Sequence, residues 1–439
     1  MTKYLSAICF ALLTINTGNA ADSSSYRTSE LDPLEIEIVE QIDLQLPRSL
    51  ELLEDVVNIN SGTLNLEGVR KVGKVFESEF NKLNFETQWI DGSSFERAGH
   101  LLASYGQTGP KILMIGHLDT VFSKTDSFQK FQRLDSEHIA GPGITDMKGG
   151  DVIIVSALSA LKKVGALENV RIKVILIGDE ERNGNPLSAS RAALVKAARW
   201  ADIALGFEDG DGDIKTAVIA RRGSVDWSLN VSGKPAHSSQ IFKADVGYGA
   251  IFEAARILNS FREQLAGEGN LTFNPGMIVG GTQVDFDSST ASGTAFGKNN
   301  VIAKTAKVSG GIRALSPEEL ASAKQVMQEI VSDNLAHTSA ILSFGEGYPP
   351  MAPSAGNRKL LAQYSAVSES LGYGPVEAVN PRNAGAADIS FTAEYIDMAL
   401  DGLGLMGTGG HTKDEVADIS SLQKNAHKAA LLIYRLANQ

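Results

Sequence analysis

Acidic and histidine side chains cluster at five places along this 439-residue chain. The clusters contain His117 with Asp119, Asp146, Glu180 with Glu181, Glu208, and His411. Imidazoles and carboxylates without thiolates suit a hard or borderline divalent ion such as zinc, cobalt or manganese. Two such ions, about 3.5–4 Å apart, need a bridging carboxylate, and paired sites of this kind serve hydrolysis. The residue types therefore indicate a hydrolytic site with two metal ions.

The spacing within two of these clusters carries further information. His117 and Asp119 form the kind of pair in which a carboxylate orients a ligating imidazole. Glu180 and Glu181 are adjacent, and two neighbouring carboxylates repel each other unless a cation compensates one of them. Any one cluster could be a solvated acid or a turn, whereas five of them together favour a shared site.

The elements that must position these clusters alternate between strands and helices. Short apolar runs predict strands over residues 111–116, 171–178 and 202–207, and helical spacing predicts helices over 151–164 and 187–200. Such alternation implies a largely parallel sheet with helices on its faces, an α/β fold. Because the carboxyl ends of parallel strands line one crevice, we expect the clusters that follow these strands to converge there.

The pattern changes near residue 224, where a second folding unit is predicted to begin. Residues 225–231 alternate with period two, which is typical of a half-exposed antiparallel strand. A helix, two strands, a helix and a final strand follow through residue 344, the order of a compact α+β, ferredoxin-like unit. The second helix is signalled by Ser316 as N-cap and Pro317 in the first turn.

These patterns divide the chain into an α/β domain interrupted by a smaller, lid-like domain. The predicted segments are a signal peptide (1–20), a first catalytic part (21–223), the inserted domain (224–345) and a second catalytic part (346–439).

The first twenty residues are typical of a secretory signal. Lys3 is their only charged residue, residues 4–15 are almost continuously apolar, and small residues precede a predicted cleavage after Ala20. The apolar stretch is shorter than the roughly 20 residues of a membrane span, so an uncleaved anchor is the weaker alternative. We expect a periplasmic or secreted protein with no membrane span in the mature chain. The single cysteine, Cys9, would leave with the signal, so the site must use other ligands.

The charge balance excludes two classes of partner. With 40 Lys and Arg against 52 Asp and Glu, the net charge is −12. Nucleic-acid binding and binding to an acidic membrane surface both need a basic face, so neither is expected. A small substrate stays compatible with this charge, because a local pocket can oppose it.

Five motifs carry a resemblance to a known family, and they occur in the order GHLDTV, GPGITDMKGG, GDEE, GFED and GGHT. In this order they resemble the dizinc aminoacylase/carboxypeptidase family, to which glutamate carboxypeptidase, acetylornithine deacetylase and succinyl-diaminopimelate desuccinylase belong. The resemblance spans about residues 45–435. It implies two zinc ions per chain, with cobalt or manganese as alternatives.

The resemblance also implies a role for each matching residue. His117 would ligate one ion with Asp119 behind it, and Asp146 would bridge both ions. Glu180 would be the general base. The other metal ligands would be Glu181, Glu208 and His411. A glutamate at position 208 is typical of the carboxypeptidases and deacylases of the family, whereas its aminopeptidases have aspartate; Asp209 is the neighbouring alternative.

Substrate-binding roles fall on the inserted domain. His237 matches the family histidine that stabilises the oxyanion, often from the partner subunit, and this implies a homodimer formed through the inserted domain. Asn300 and Arg313 resemble residues that hold a substrate carboxylate. Two neighbouring positions depart from the family pattern, with Ala303 in place of proline and Gly311 in place of aspartate.

Three functions follow from these expectations. The first is a zinc exopeptidase of the glutamate carboxypeptidase branch, which would release a C-terminal amino acid from a small peptide. The second is an N-acyl-amino-acid amidohydrolase with the same site. The third is a non-catalytic binding protein on this scaffold, which loss of Glu180 or of a metal ligand would mark; neither is lost.

Overall fold

A computed structural model describes residues 30–267, 269–287 and 292–438. The predicted signal peptide lies outside these residues. None of the helices in the described ranges combines the length and the apolar character of a membrane span.

The elements of these ranges are numbered in chain order. The α-helices are α1 (Pro33–Val57), α2 (Leu66–Lys82), α3 (Gly149–Lys163), α4 (Leu187–Ser190), α5 (Ala192–Ala198), α6 (Gly249–Leu265), α7 (Pro317–Ser332), α8 (Ala355–Ser370) and α9 (Ile419–Ala437). The first nine strands are β1 (Glu86–Asp91), β2 (Gly99–Tyr105), β3 (Lys111–His117), β4 (Gln132–Arg133), β5 (His138–Ala140), β6 (Arg171–Ile177), β7 (Ile203–Gly206), β8 (Thr216–Ala217) and β9 (Ser224–Gly233). The others are β10 (Thr272–Gly281), β11 (Gln283–Asp287), β12 (Ser292–Phe296), β13 (Thr305–Arg313), β14 (Thr338–Tyr348), β15 (Glu377–Ala378), β16 (Met398–Leu400), β17 (Gly407–Thr408) and β18 (Val416–Asp418).

A six-stranded sheet in the order β1-β2-β6-β3-β7-β16 forms the centre of the α/β domain. Strands β6, β3, β7 and β16 run parallel, while β2 is antiparallel to both β1 and β6. The central strand β3 is buried from its second residue onward, which explains why its sequence is continuously apolar instead of alternating. The structure thus confirms the predicted α/β class with a mostly parallel sheet.

Helices cover both faces of this sheet. Successive side chains of a strand point to opposite faces. Accordingly, Ile112 and Met114 of β3 belong to a core that includes residues of α1, α3 and α9. Leu113 and Ile115 face a second core that includes Leu194 of α5. Both layers fix β3 and its neighbours rigidly, which matters because the candidate ligands follow directly at the strand ends.

The inserted segment forms a separate four-stranded antiparallel sheet in the order β10-β13-β9-β14. Helices α6 and α7 pack on it around a core of their own that contains Trp227, Phe261 and Met327. Ser316 caps α7 by accepting a hydrogen bond from the Glu319 N–H, at 3.1 Å. The chain order β9-α6-β10-β13-α7-β14 is the predicted strand and helix order.

The inserted unit differs from the sequence-based expectation in one respect. The sequence predicts one strand over residues 271–284, whereas the structure divides this region into β10 and β11. Strand β11 pairs with β12 as an additional hairpin.

A small sheet in the order β17-β18-β5-β4 pairs the C-terminal part of the chain with the segment before α3. Val416 of β18 pairs with Ala140 of β5, and Thr408 of β17 pairs with Val416. The loop between β17 and β18 carries His411, and the turn that contains Asp146 follows β5. Two segments far apart in sequence therefore meet at one place.

Candidate metal centre

Three adjacent parallel strands end at one edge of the central sheet. Strand β3 ends at His117, β6 is followed by Glu180 and Glu181, and β7 is followed by Glu208. Because β6, β3 and β7 are direct neighbours, their carboxyl ends bring these side chains together. This is the convergence that the sequence predicts.

Asp146 lies between two imidazoles. Its Oδ1 is 3.0 Å from His117 Nε2, and its Oδ2 is 2.9 Å from His411 Nε2. The residue lies in a tight turn, Ile144–Lys148, which precedes α3. One carboxylate thus presents a different oxygen to each histidine, as a group that bridges two ions must.

Two sets of potential ligand atoms share Asp146. The first consists of His117, Asp146 and Glu208, and the second of Asp146, Glu181 and His411, with the atoms of each set within 4.8 Å of one another. His411 Nε2 is 3.1 Å from Glu181 Oε2, and His117 Nε2 is 3.7 Å from Glu208 Oε1. In the described part of the chain, Glu181 Oε1 is buried without a hydrogen-bond partner. The donors therefore fit two divalent ions of the zinc type.

The electrostatics of the cluster also favour cations. Burial, together with the charge of Asp146, raises the pKa of three neighbouring carboxyls, Glu180, Glu181 and Glu208. Burial lowers the pKa of His117, but Glu208 and Asp146 more than offset it and the pKa lies well above its usual value. Hydrogen bonds with Asp146 and Glu181 raise the pKa of His411 to about 11. Protons on these imidazoles balance the carboxylates, and metal ions would replace those protons on binding.

Asp119 connects the first histidine with the glutamate pair. It is fully buried, and its backbone carbonyl oxygen lies 3.0 Å from His117 Nδ1, within hydrogen-bond distance, whereas its carboxylate Oδ1 lies 3.6 Å from the same nitrogen. Its carboxylate accepts hydrogen bonds from the backbone N–H groups of Glu180, at 3.0 Å, and Glu181, at 3.2 Å. The Thr63 hydroxyl donates a further hydrogen bond of 2.6 Å. Asp119 therefore orients the imidazole and fixes the backbone of the pair at the same time.

The two adjacent glutamates occupy different positions. Glu181 belongs to one of the two ligand sets, whereas Glu180 belongs to neither set found among the described residues. The Glu180 carbonyl accepts a hydrogen bond of 3.1 Å from the Tyr348 hydroxyl, which fixes its backbone. Glu180 is thus a partly buried acid that belongs to neither ligand set among the described residues.

Known proteins of similar sequence point to one family. A sequence profile described as peptidase family M20/M25/M40 matches residues 113–435. The chain belongs to this family. Carboxypeptidase G2 of Pseudomonas sp. (strain RS-16) is 26% identical over 397 residues, which are 89% of this chain and 89% of that protein. A probable succinyl-diaminopimelate desuccinylase of Staphylococcus aureus (strain MRSA252) is 25% identical over 221 residues, 49% of this chain and 51% of that relative.

Solved structures of several peptidases share the fold. A tripeptidase from Staphylococcus aureus has a TM-score of 0.68 at 19% identity and covers 90% of this chain and 99% of its own. The aminopeptidase PepT of Bacillus cereus has a TM-score of 0.69 at 19% identity, with 89% and 99% covered. A metallo-carboxypeptidase from Sulfolobus solfataricus has a TM-score of 0.64 at 15% identity, with 89% and 99% covered.

Membership of the M20 family confirms the resemblance and the assignment as an enzyme. The chain is a metal-dependent hydrolase of the metallopeptidase class. A non-catalytic binding protein on this scaffold is therefore not retained as an interpretation.

Several residues that hold the ligand cluster in place through hydrogen bonds are not predicted by any sequence pattern. Asp401 accepts hydrogen bonds from the Glu208 N–H, at 3.4 Å, and from Arg221 Nε, at 2.7 Å. Arg191 is fully buried and donates to Asp179, at 2.8 Å, directly before the glutamate pair. These contacts join residues far apart in sequence, so only the folded chain reveals them.

The candidate substrate residues of the inserted unit belong to neither ligand set found among the described residues. His237 and Asn300 are exposed and Arg313 is half-buried. His237 Nδ1 is 2.9 Å from Ser239 Oγ, and the Ser238 N–H donates to the Asn300 carbonyl at 2.9 Å. In the described ranges, no hydrogen bond or ion pair joins any of the three to the ligand sets. The structure therefore brings His237 and Asn300 together, but not onto the metal centre.

Proposed function

We propose that this chain is a zinc carboxypeptidase that hydrolyses the amide bond next to the C-terminal amino acid of a small peptide. The observation that carries the proposal is the carboxylate of Asp146, which offers one oxygen to each of two ligand sets while Glu180 stays outside both. The similarity to carboxypeptidase G2 over 89% of both chains supports the carboxypeptidase branch.

The proposed mechanism assigns each residue a task. His117 and Glu208 would hold one ion, and Glu181 and His411 would hold the other. Asp146 would contribute to both. When bound, the ions would lower the pKa of the attacking water and polarise the scissile carbonyl. Glu180 would accept the proton of the water on its carboxylate and return it to the leaving nitrogen, so it acts first as base and then as acid.

The inserted unit would complete the site. His237 would donate a hydrogen bond to the oxyanion, and Asn300 and Arg313 would bind the substrate carboxylate. Because the described residues show no hydrogen bond or ion pair between these residues and the ligand sets, we infer that they arrive by closure of residues 224–345 as a lid or from a second subunit. We infer a homodimer formed through this unit, in a protein that residues 1–20 direct to the periplasm or the medium.

An exposed aromatic patch supports the dimer. Phe242, Tyr248 and Phe252 are 59%, 38% and 51% exposed. The Phe242 ring centroid lies 5.5 Å from that of Tyr248 and 5.6 Å from that of Phe252. Clustered exposed aromatic side chains are typical of protein interfaces, and this patch follows His237 within the same segment of the chain.

An N-acyl-amino-acid amidohydrolase is the second candidate. It would use the same ligands and the same base, and the partial match to a probable succinyl-diaminopimelate desuccinylase favours it. Hydrolysis rates of the zinc-loaded enzyme on dipeptides and on N-acetyl and N-succinyl amino acids, with a common C-terminal residue, distinguish the two. The proposal expects higher kcat/KM on peptides; faster hydrolysis of the acyl amino acids would replace it by the second candidate. Glu180→Gln serves as the control for contaminating peptidases.

A further inference from the structure

Glu415 is a fully buried acid that none of the roles above uses. Its Oε2 accepts a hydrogen bond from the Gly143 N–H, at 2.9 Å. Its Oε1 accepts from the Thr145 N–H at 2.8 Å, the Thr145 hydroxyl at 3.1 Å and the Asp146 N–H at 3.3 Å. A single carboxylate thus accepts four hydrogen bonds from three residues of the segment that carries the candidate bridging aspartate.

The backbone of Glu415 belongs to the other ligand loop. Glu415 follows His411 by four residues and directly precedes β18, whose first residue, Val416, pairs with Thr408 of β17. The loop between these strands is closed by a hydrogen bond of 3.0 Å from the Thr412 N–H to the Gly409 carbonyl. The backbone of Glu415 therefore lies at the end of the His411 loop, while its carboxylate contacts the turn that contains Asp146.

The two ligand sets depend on this connection to different degrees. His117 and Glu208, of the first set, follow β3 and β7, which pair directly in the central sheet. Asp146 and His411, of the second set, lie in a turn and a loop without strand pairing of their own. In the second set, the side chain of Glu415 ties the base of the His411 loop to the Asp146 turn, in addition to the direct contact between His411 and Asp146.

We propose that Glu415 is a positioning residue that sets the spacing between Asp146 and His411, and thereby the affinity for the second metal ion. This inference rests on the two-ion site proposed above. Residues that orient ligands from outside the coordination sphere change metal affinity by about 10–100-fold when they are replaced. The loss should concentrate on the ion held by Asp146, Glu181 and His411, because the other ion keeps two ligands that the sheet fixes.

The test is a calorimetric titration of the full chain, stripped by chelation, with Zn²⁺ alone. Glu415→Gln preserves size, but its amide turns an N–H₂ group toward backbone donors that need an acceptor. We expect the wild-type chain to bind two ions. The variant should bind the second ion about 10–100-fold more weakly than wild type does, and its affinity for the first ion should change by a smaller factor. Asp414→Asn is the matched control, because Asp414 is exposed on the same loop; it should titrate like wild type.

A milder variant keeps the test decisive if Glu415→Gln fails to fold. Thr145→Val removes the hydroxyl that donates to Glu415 and that also hydrogen-bonds Asp209. It should weaken binding of the second ion by about fivefold, the value of one hydrogen bond. Unchanged affinity for the second ion, or an equal loss for both ions, would overturn the role of Glu415. A wild-type chain that binds fewer than two ions would instead overturn the proposed site itself.

Discussion

The metal-binding edge of the central sheet and the inserted unit hold their candidate residues in opposite ways. At the sheet edge, Asp119 and Glu415 fix the ligands through buried hydrogen bonds between segments far apart in sequence. In the inserted unit, His237 and Asn300 are exposed, and their hydrogen bonds to described residues lie within the same unit. The comparison teaches that the candidate metal ligands are held together within one chain, whereas the proposed substrate-binding role of the inserted unit would need a movement or a partner.

The largest expected effect removes the residue that both ligand sets share. Asp146→Ala deletes one oxygen from each set, so the purified variant should lose most of its bound metal and nearly all activity. Metal per chain, measured by elemental analysis, checks this. Asp55→Ala, which removes an exposed carboxyl of α1, should retain both. Full metal content in Asp146→Ala would show that the edge of the sheet is not the metal centre.

The glutamate pair gives the next largest effect and tests the assignment of its two members. Glu180→Gln preserves shape but cannot accept a proton, so kcat should fall by roughly 10²–10⁴ while metal content stays unchanged. Glu181→Gln removes a charged ligand and should release metal as well as activity. The opposite pattern, with metal lost only in Glu180→Gln, would mean that the roles are reversed.

These two predictions concern the part of the site that the sequence reveals best. Continuous apolar runs predict β3, β6 and β7, and the parallel arrangement places His117, Glu181 and Glu208 at one edge. The sequence does not reveal the residues that hold these ligands. The contacts of Glu415 with Gly143 and of Asp401 with Glu208 span 272 and 193 positions. Such contacts depend on how the loops pack, which local periodicity does not encode.

The inserted unit shows a different limit of prediction. Its strand and helix order follows from alternation and from the Ser316 cap, because both signals are local. The division of residues 271–284 into β10 and β11 does not follow, since the apolar side chains suit one long strand equally well. How His237 would reach a bound substrate depends on the arrangement of two units or two chains, and no local sequence pattern contains that arrangement.

A mixing experiment tests whether His237 acts across subunits. His237→Ala and Glu180→Gln chains should each be nearly inactive alone. When unfolded together and refolded, they should recover about a quarter of wild-type activity, since half of the dimers are mixed and each has one complete site. Each variant refolded alone is the control. Well-mixed dimers without recovery would place His237 on the site of its own chain, or outside the mechanism.

A substitution in the aromatic patch should have the smallest effect on the free energy of unfolding. It should nevertheless shift the monomer–dimer equilibrium clearly. Phe252→Ser should shift the dimer toward monomer, because it removes a side chain that is 51% exposed and packs against Phe242. The free energy of unfolding of the monomer should change by no more than about 0.5 kcal/mol, as is usual for exposed positions. Metal content should stay at the wild-type value, since α6 does not contribute to the ligand sets.

A matched substitution elsewhere in the same unit makes this last prediction specific. Ile341 of β14 is 66% exposed, but it lies outside the aromatic patch. If the patch forms the interface, Ile341→Ser keeps the wild-type sedimentation coefficient at every protein concentration, while Phe252→Ser sediments as a monomer at low concentration. The reverse result would move the interface to the edge strand β14, where unpaired backbone groups offer a second route to association. A wild-type chain that sediments as a fully active monomer would remove the need for a partner, and His237 would then have to reach the metal centre by closure of its own lid.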